Sequence, residues 1–139
     1  MIIRVALVSD GPAIQVLLDQ LGYPVPDGFT ERKIELLNTA DNRILVCESA
    51  GNVVGFASLH CLDMFYAAKR MGRITAICID EKVRDQGFGG LLLIAAEQFF
   101  LKNGCDHVEV TTNLKRLITP SFYLKHGYTE DSRRFVKRI

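Results

Sequence analysis

Residues 74–100 constrain the fold of this chain more than any other stretch. They open with the apolar run Ile74-Thr-Ala-Ile-Cys-Ile79, short and β-rich enough for a buried strand. They close with Leu91-Leu-Leu-Ile-Ala-Ala-Glu-Gln-Phe-Phe100, long and rich enough in helix formers for a helix. Between the two lies a turn holding Arg84, Gly87, Gly89 and Gly90. Glycines let a backbone approach a ligand closely and take φ > 0, so that successive N–H groups face one concavity. The first N–H groups of a helix have no intrahelical partner, and the helix dipole favours an anion beside them. The segment therefore predicts a cradle for a pyrophosphate-bearing ligand. A tight β-to-α turn that needs its glycines for geometry alone is the alternative.

The flanking pattern predicts a mixed α/β domain over residues 1–139, with hairpins first and one central βαβ unit. Residues 2–8 read as a strand. Ser9 or Asp10 is the expected N-cap of a helix over 13–21, with Pro12 near its first turn and Ile14, Leu17, Leu18 and Leu21 on one face. A loop over 22–28 precedes a shorter helix over 30–38. Strands over 43–48 and 53–60 are joined by Ser49-Ala-Gly-Asn52, a hairpin signal. Residues 61–72 read as a loop, 107–112 as a strand, and Asn103-Gly104 as a helix C-cap. Residues 120–126 read as a short helix stopped by Gly127, and 128–131 with 133–138 as a closing pair of strands.

At 139 residues the chain can bury one sizeable core, and 48% hydrophobic with 24% charged residues argues against disorder. A formal net charge of +1 provides no global field for nucleic acid or an acidic membrane. The basic end, Arg133-Arg-Phe-Val-Lys-Arg138, reads as a strand with a solvated face or as an anion-binding tail. Cys47, Cys61, Cys78 and Cys105 are far apart and form no C-x-x-C, which predicts buried thiols in a reducing compartment rather than disulfides or a metal site. The N-terminus lacks the marks of a signal peptide, and no apolar run approaches the ~20 residues that span a bilayer. The expectation is a cytoplasmic protein.

Two familiar phosphate signatures fail here. In a dinucleotide G-x-G-x-x-G, Leu92 would occupy the third glycine position, and no Lys-Ser/Thr follows Gly90 as a P-loop requires. What Arg84-Asp-Gln-Gly-Phe-Gly89 does resemble is the R/Q-x-x-G-x-G/A signature of the GNAT superfamily of N-acetyltransferases, placed directly after a strand as in that family. Phe122-Tyr-Leu-Lys-His-Gly-Tyr128 is similar to the family's F-Y-x-x-x-G-[FY] element. The C-terminal half resembles the small bacterial aminoalkylphosphonate N-acetyltransferases in particular.

The resemblance implies a mostly antiparallel central sheet with a βαβ acyl-CoA-binding core, acetyl-CoA as co-substrate, and a small-molecule amine as acceptor, with a homodimer left open. It implies a pyrophosphate cradle made by Asp85, Gln86, Gly87, Phe88, Gly89 and Gly90 and framed by Arg84. It gives Ile77, Cys78 and Ile79 main-chain roles toward the pantetheine arm, with a backbone N–H near Cys78 polarising the thioester carbonyl. Tyr123 matches the family's general acid for the departing thiolate, a phenol that stays protonated at neutral pH. Asn113 would bond the cofactor or its loop. No metal is implied.

The acceptor amine must lose a proton, and here the chain departs from the pattern. Ala76 occupies the strand position where relatives often carry Glu, and Leu117-Ile-Thr-Pro-Ser121 replaces the polar, His/Asp-containing stretch of the phosphonate enzymes. His60, Glu109 and Asp80 remain as candidate bases. The acceptor pocket is expected from residues 22–28, 61–72 and 117–121, with Phe65, Tyr66, Lys69 and Arg70 available to an anionic substrate. A catalytically silent CoA-binding sensor on the same fold is the competing reading, favoured by Ala76 and the apolar insert. A CoA-independent α/β binding protein is the third.

Overall fold

The computed structural model describes residues 1–111, 120–131 and 134–139. Its elements run β1 (Ile2–Val5), α1 (Gly11–Leu21), α2 (Phe29–Leu37), β2 (Asn42–Ser49), β3 (Asn52–Leu62), β4 (Arg70–Ile79), α3 (Phe88–Lys102), β5 (Cys105–Val110) and α4 (Pro120–Lys125). Single 3₁₀ turns at Val8–Asp10 and Glu81–Val83 precede α1 and α3. The strands form one sheet in the order β1-β2-β3-β4-β5, antiparallel except for the parallel β4–β5 pair that α3 connects. The expected mixed, mostly antiparallel sheet with a central βαβ unit is what the chain builds.

Strand alternation gives the sheet two apolar faces. Leu45, Cys47, Ala57, Leu59, Cys61, Ile74, Ile77 and Ile79 face α3 and pack on Leu92, Leu93, Ala96 and Phe100. Ile44, Val46, Phe56 and Cys78 face the other way, toward Ile14, Leu17 and Leu21 of α1 and Ile34 of α2. At Gly72 a side chain would run into the Phe100 ring, so the missing Cβ is what lets α3 lie flat on β4. A polar strap fixes α1 to the sheet edge. Arg4 donates from Nη1 and Nη2 to both oxygens of the buried Asp10 at 2.7 and 3.0 Å and from Nε to Glu48 at 2.8 Å, while Asp10 also accepts from the Leu7 amide.

Three expectations need correction. Of residues 61–72, expected as a loop, only 63–69 are one, because β3 continues to Leu62 and β4 begins at Arg70, whose charge is met by Asp41 at 2.7 Å. The helix after the glycine turn begins at Phe88, which puts Gly89 and Gly90 inside its first turn. The closing strands are not formed: residues 128–131 and 134–139 are irregular, and Arg133 lies outside the described residues. A strand requires a ladder partner. Without one, Phe135, Val136 and Ile139 stand exposed, while Tyr128 is held by its hydroxyl donating to Glu97 on α3.

Candidate functional site

β4 is paired with β5 only over its first half. The parallel ladder ends at Ile74↔Val110, yet β4 continues to Ile79, so residues 75–79 have β3 on one side and, among the described residues, an open edge on the other. The Asp80 amide donates to Val54 O on β3 at 2.7 Å. Amides alternate sides along a strand, so those of Asp80 and Cys78 face β3, and those of Ile77 and Ile79 face the open edge. Cys78 itself is buried against α1, with Sγ 3.5 Å from Leu17 O, and burial pushes its thiol up to about 11. It stays protonated at neutral pH and is no nucleophile. All four cysteines are free and buried.

The open edge leads straight into the glycine turn. Asp80 caps the 3₁₀ turn through Lys82 N, and Gln20 at the end of α1 braces it, donating to Asp80 at 3.3 Å and accepting from the Glu81 amide at 3.0 Å. Arg84 donates from Nε to Ile79 O at 3.2 Å, while its Nη2 is buried with no partner among the described residues. Asp85 (φ 65°) and Gly87 (φ 84°) take the left-handed conformation that bends the chain into α3. Asp is among the few side chains that tolerate this region, and Gly87 N-caps the helix. The amides of Phe88, Gly89 and Gly90 are the first of α3 and face outward along its axis. α4 covers this end. A Cβ at Gly89 would touch the Phe122 ring at 3.4 Å, and one at Gly90 would meet His126 Nε2 at 3.0 Å. An unpartnered guanidinium nitrogen beside a row of outward amides suits a pyrophosphate, and the open strand edge suits an amide-bearing arm.

Tyr123 is buried on the α3 side, in one cluster with Ile77, Ile79 and Phe88, and edge-on to Tyr128 at 5.9 Å. Asn113 lies outside the described residues, as do residues 117–119 of the expected acceptor loop. Phe65 and Tyr66 are fully exposed, Lys69 lies outside the core, and Arg70 is engaged with Asp41.

The three candidate bases separate cleanly. Asp80 is occupied as a cap. Glu109 is exposed and 3.6 Å from Arg73. His60, by contrast, sits in a network drawn from three strands. Its Nδ1 lies 2.8 Å from Asn42 Oδ1, while Asn42 Nδ2 donates to Thr39 Oγ1. Nδ1 therefore carries the proton, and Nε2 presents its lone pair to the hydroxyls of Thr75 at 2.8 Å and Ser58 at 3.2 Å. Burial first, and Arg73 second, hold the imidazole below its ordinary pKa, which keeps it neutral. Thr75 is exposed and directly follows the last β5-paired residue of β4. The lone pair of His60 is thus relayed to the point where the strands part.

Two β-bulges build this network. Val54 has no partner between the pairs Glu48↔Val53 and Cys47↔Gly55, which shifts the hairpin register so that Asn42 faces His60. Thr75 has no partner between Ser58↔Ala76 and Leu59↔Ile74, which turns its hydroxyl toward His60. Sequence reading found His60 but not Asn42, Ser58 or Thr75. The available signal was the alternate pair Ser58 and His60 on one face of β3, with Asn42 opposite at the start of β2.

Comparison with known proteins agrees with this architecture. The profile of the acetyltransferase (GNAT) family matches residues 13–128. The aminoalkylphosphonate N-acetyltransferase of Salmonella typhimurium is 35% identical over 89 residues, which cover 64% of this chain and only 58% of that enzyme. An uncharacterized N-acetyltransferase of Bacillus subtilis, YhfO, is 27% identical over 138 residues, covering 94% of this chain and 91% of its own. A GNAT family acetyltransferase structure from Staphylococcus aureus superposes with a TM-score of 0.82 at 22% identity, over 99% of this chain and 98% of that one. With its profile match, its fold and its parted strands, the chain belongs to the acetyltransferase (GNAT) family, which generally uses acetyl-CoA as co-substrate.

Proposed function

We propose that this protein moves an acetyl group from acetyl-CoA to the primary amine of a small molecule by direct attack in a ternary complex. When bound, acetyl-CoA supplies the activated acyl group as a thioester. The residues 85–90 would hold its diphosphate through the amides at the start of α3, and Arg84 would offer Nη2 to the same charge. The edge-facing amides of Ile77 and Ile79 would pair with the pantetheine arm as an added strand, and the Ile77 amide, one residue before Cys78, would donate to the acyl oxygen. Tyr123 would donate its phenolic proton to the departing sulfur, and Asn113 would bond the cofactor loop.

The observation that carries the reading is His60. A neutral imidazole with Nδ1–H fixed by Asn42 keeps an Nε2 lone pair on the Thr75 hydroxyl, through which it would take a proton from an ammonium. That arrangement supplies the base that Ala76 cannot, and it is why catalysis is preferred over a silent CoA sensor. The buried, protonated Cys78 supports direct attack over an acetyl-cysteine route.

The test couples calorimetry with thiol release. Acetyl-CoA should bind the wild-type protein saturably, and Gly89→Glu should abolish that binding while the fold survives, since a Cβ there meets only ordinary contact distances. Tyr123→Phe should keep cofactor affinity and lose turnover with a panel of primary amines. A folded wild-type protein that binds no acetyl-CoA would sink the proposal.

A further inference from the structure

Beside the His60 network, α1 and α2 do not close fully on the sheet. They leave a cavity of about 170 Å³, walled by Phe29, Ile34 and Leu37 of α2, with Ser58 and Ala76 as its floor on β3 and β4. The floor ties the cavity to the site above: Ser58 bonds His60, and Ala76 directly follows Thr75. Where relatives often carry a carboxylate, the small Ala76 leaves room. The cavity also holds one unexplained group. Thr30, only 4% exposed, lines it, and its Oγ1 is fully buried with no hydrogen-bond partner among the described residues. A buried polar atom left unpaired is costly, and it marks the position of a group supplied from outside. Lys33 also lines the cavity, with its Nζ over the Phe29 ring, 5.4 Å from the centroid.

We infer that this cavity receives the body of the acceptor, and that the acceptor is an amine with a compact apolar moiety, aryl or branched alkyl, tipped by one hydrogen-bonding group for Thr30. The inference rests on the transferase reading and names the substrate class for that site. Size supports it, because an apolar cavity of about 150 Å³ takes a benzene ring. Chemistry supports it as well. A phosphonate or phosphosugar amine would have to place its anion among Phe29, Ile34, Leu37 and Ala76, where desolvation opposes it. Polarity is therefore concentrated at the reacting end, on His60, Thr75 and Ser58, and at an inner point, Thr30.

The experiment compares kcat/KM by thiol release for phenethylamine, tyramine and isoamylamine against ethanolamine and 2-aminoethylphosphonate. The apolar amines should exceed the polar pair at least tenfold, a modest demand when single methylenes in a fitted pocket discriminate by about that much. In Leu37→Trp, which fills the cavity, the ratio of phenethylamine to ethanolamine should fall at least tenfold, with melting temperature and acetyl-CoA binding recorded alongside. The wild-type series decides the matter even if that variant does not fold. Equal or faster turnover of the polar amines, with acetyl-CoA bound, overturns this inference and leaves the transferase reading intact. Failure to bind acetyl-CoA and to acetylate any amine overturns both.

Discussion

The two faces of the sheet are built to different rules. Under α3 the contact with β3 and β4 is apolar and continuous, and it opens only at the sheet edge, between α3 and β1: Leu59, Ile74, Ile77, Leu92, Leu93 and Phe100 are almost wholly buried, and Gly72 is thinned so that Phe100 can lie on the strand. Under α1 and α2 the contact is interrupted. It contains a cavity, a buried threonine hydroxyl without a partner, and a histidine tied to Asn42, Ser58 and Thr75. α1 is held to the edge by an ion pair rather than by packing alone. The closed face maximises burial, which dominates stability. The interrupted face gives up some of that burial in exchange for polar atoms placed at an opening, as a site for chemistry requires.

The sharpest way to break this contrast is to exchange its roles by mutation. Phe100→Ala should destabilise by about 4 kcal/mol in urea titration, because a ring removed from a close-packed interior leaves a cavity. The folded fraction should keep its specific activity. His60→Ala should do the reverse, lowering kcat roughly 10²–10³-fold with little change in the urea midpoint. Its pH profile adds a second test. The imidazole is held below its ordinary pKa, so kcat/KM in the wild type should rise with pH through a value under 6.5 and that limb should vanish in His60→Ala. A limb at or above the ordinary histidine value would remove the base assignment.

Asp10→Asn should cost about 2 kcal/mol, the scale of lost hydrogen bonds to a charged partner. The Arg4 hydrogen bonds, aided by the Leu7 amide against the opposing effect of burial, hold the Asp10 carboxyl below its ordinary range. Its contribution is then complete above the unfolded carboxyl pKa and is lost as pH falls through the folded value. The variant should accordingly lose less stability than the wild type on acidification, and an unchanged acid profile would count against the strap. Smallest, and opposite in sign, Thr30→Val should raise stability by about 1 kcal/mol, since it replaces an unpaired buried hydroxyl by a methyl of similar shape. A lower melting temperature would mean that the hydroxyl already has a structural partner.

Much of the closed face was legible in the sequence. The run 74–79, the glycine turn and the apolar helix after it predict a βαβ unit by periodicity, and the Ser49–Asn52 hairpin signal sets the antiparallel half. The interrupted face was legible only in part. His60 stands out as a residue, but its function depends on partners 18 and 15 positions away, reached through two register shifts that alternation alone does not reveal. The loop expected over 61–72 is confined to 63–69, and β4 starts early because Asp41 neutralises Arg70 and Phe100 needs the bare Gly72. The expected closing strands show the opposite error, since alternation in 134–138 states which side chains could share a face and not whether an edge is there to receive them.

The unpaired residue at position 75 has a further consequence. Ile74 and Ala76 oppose the adjacent residues Leu59 and Ser58, so Thr75 is an extra residue looped out between two positions that already alternate. Deleting it would regularise the ladder: Ala76 and Cys78 would keep facing α1, and Ile77 and Ile79 would keep facing α3. What would go is the hydroxyl beside His60. Deletion should therefore spare the sheet and cost turnover, which marks the insertion as a device for chemistry and not for packing.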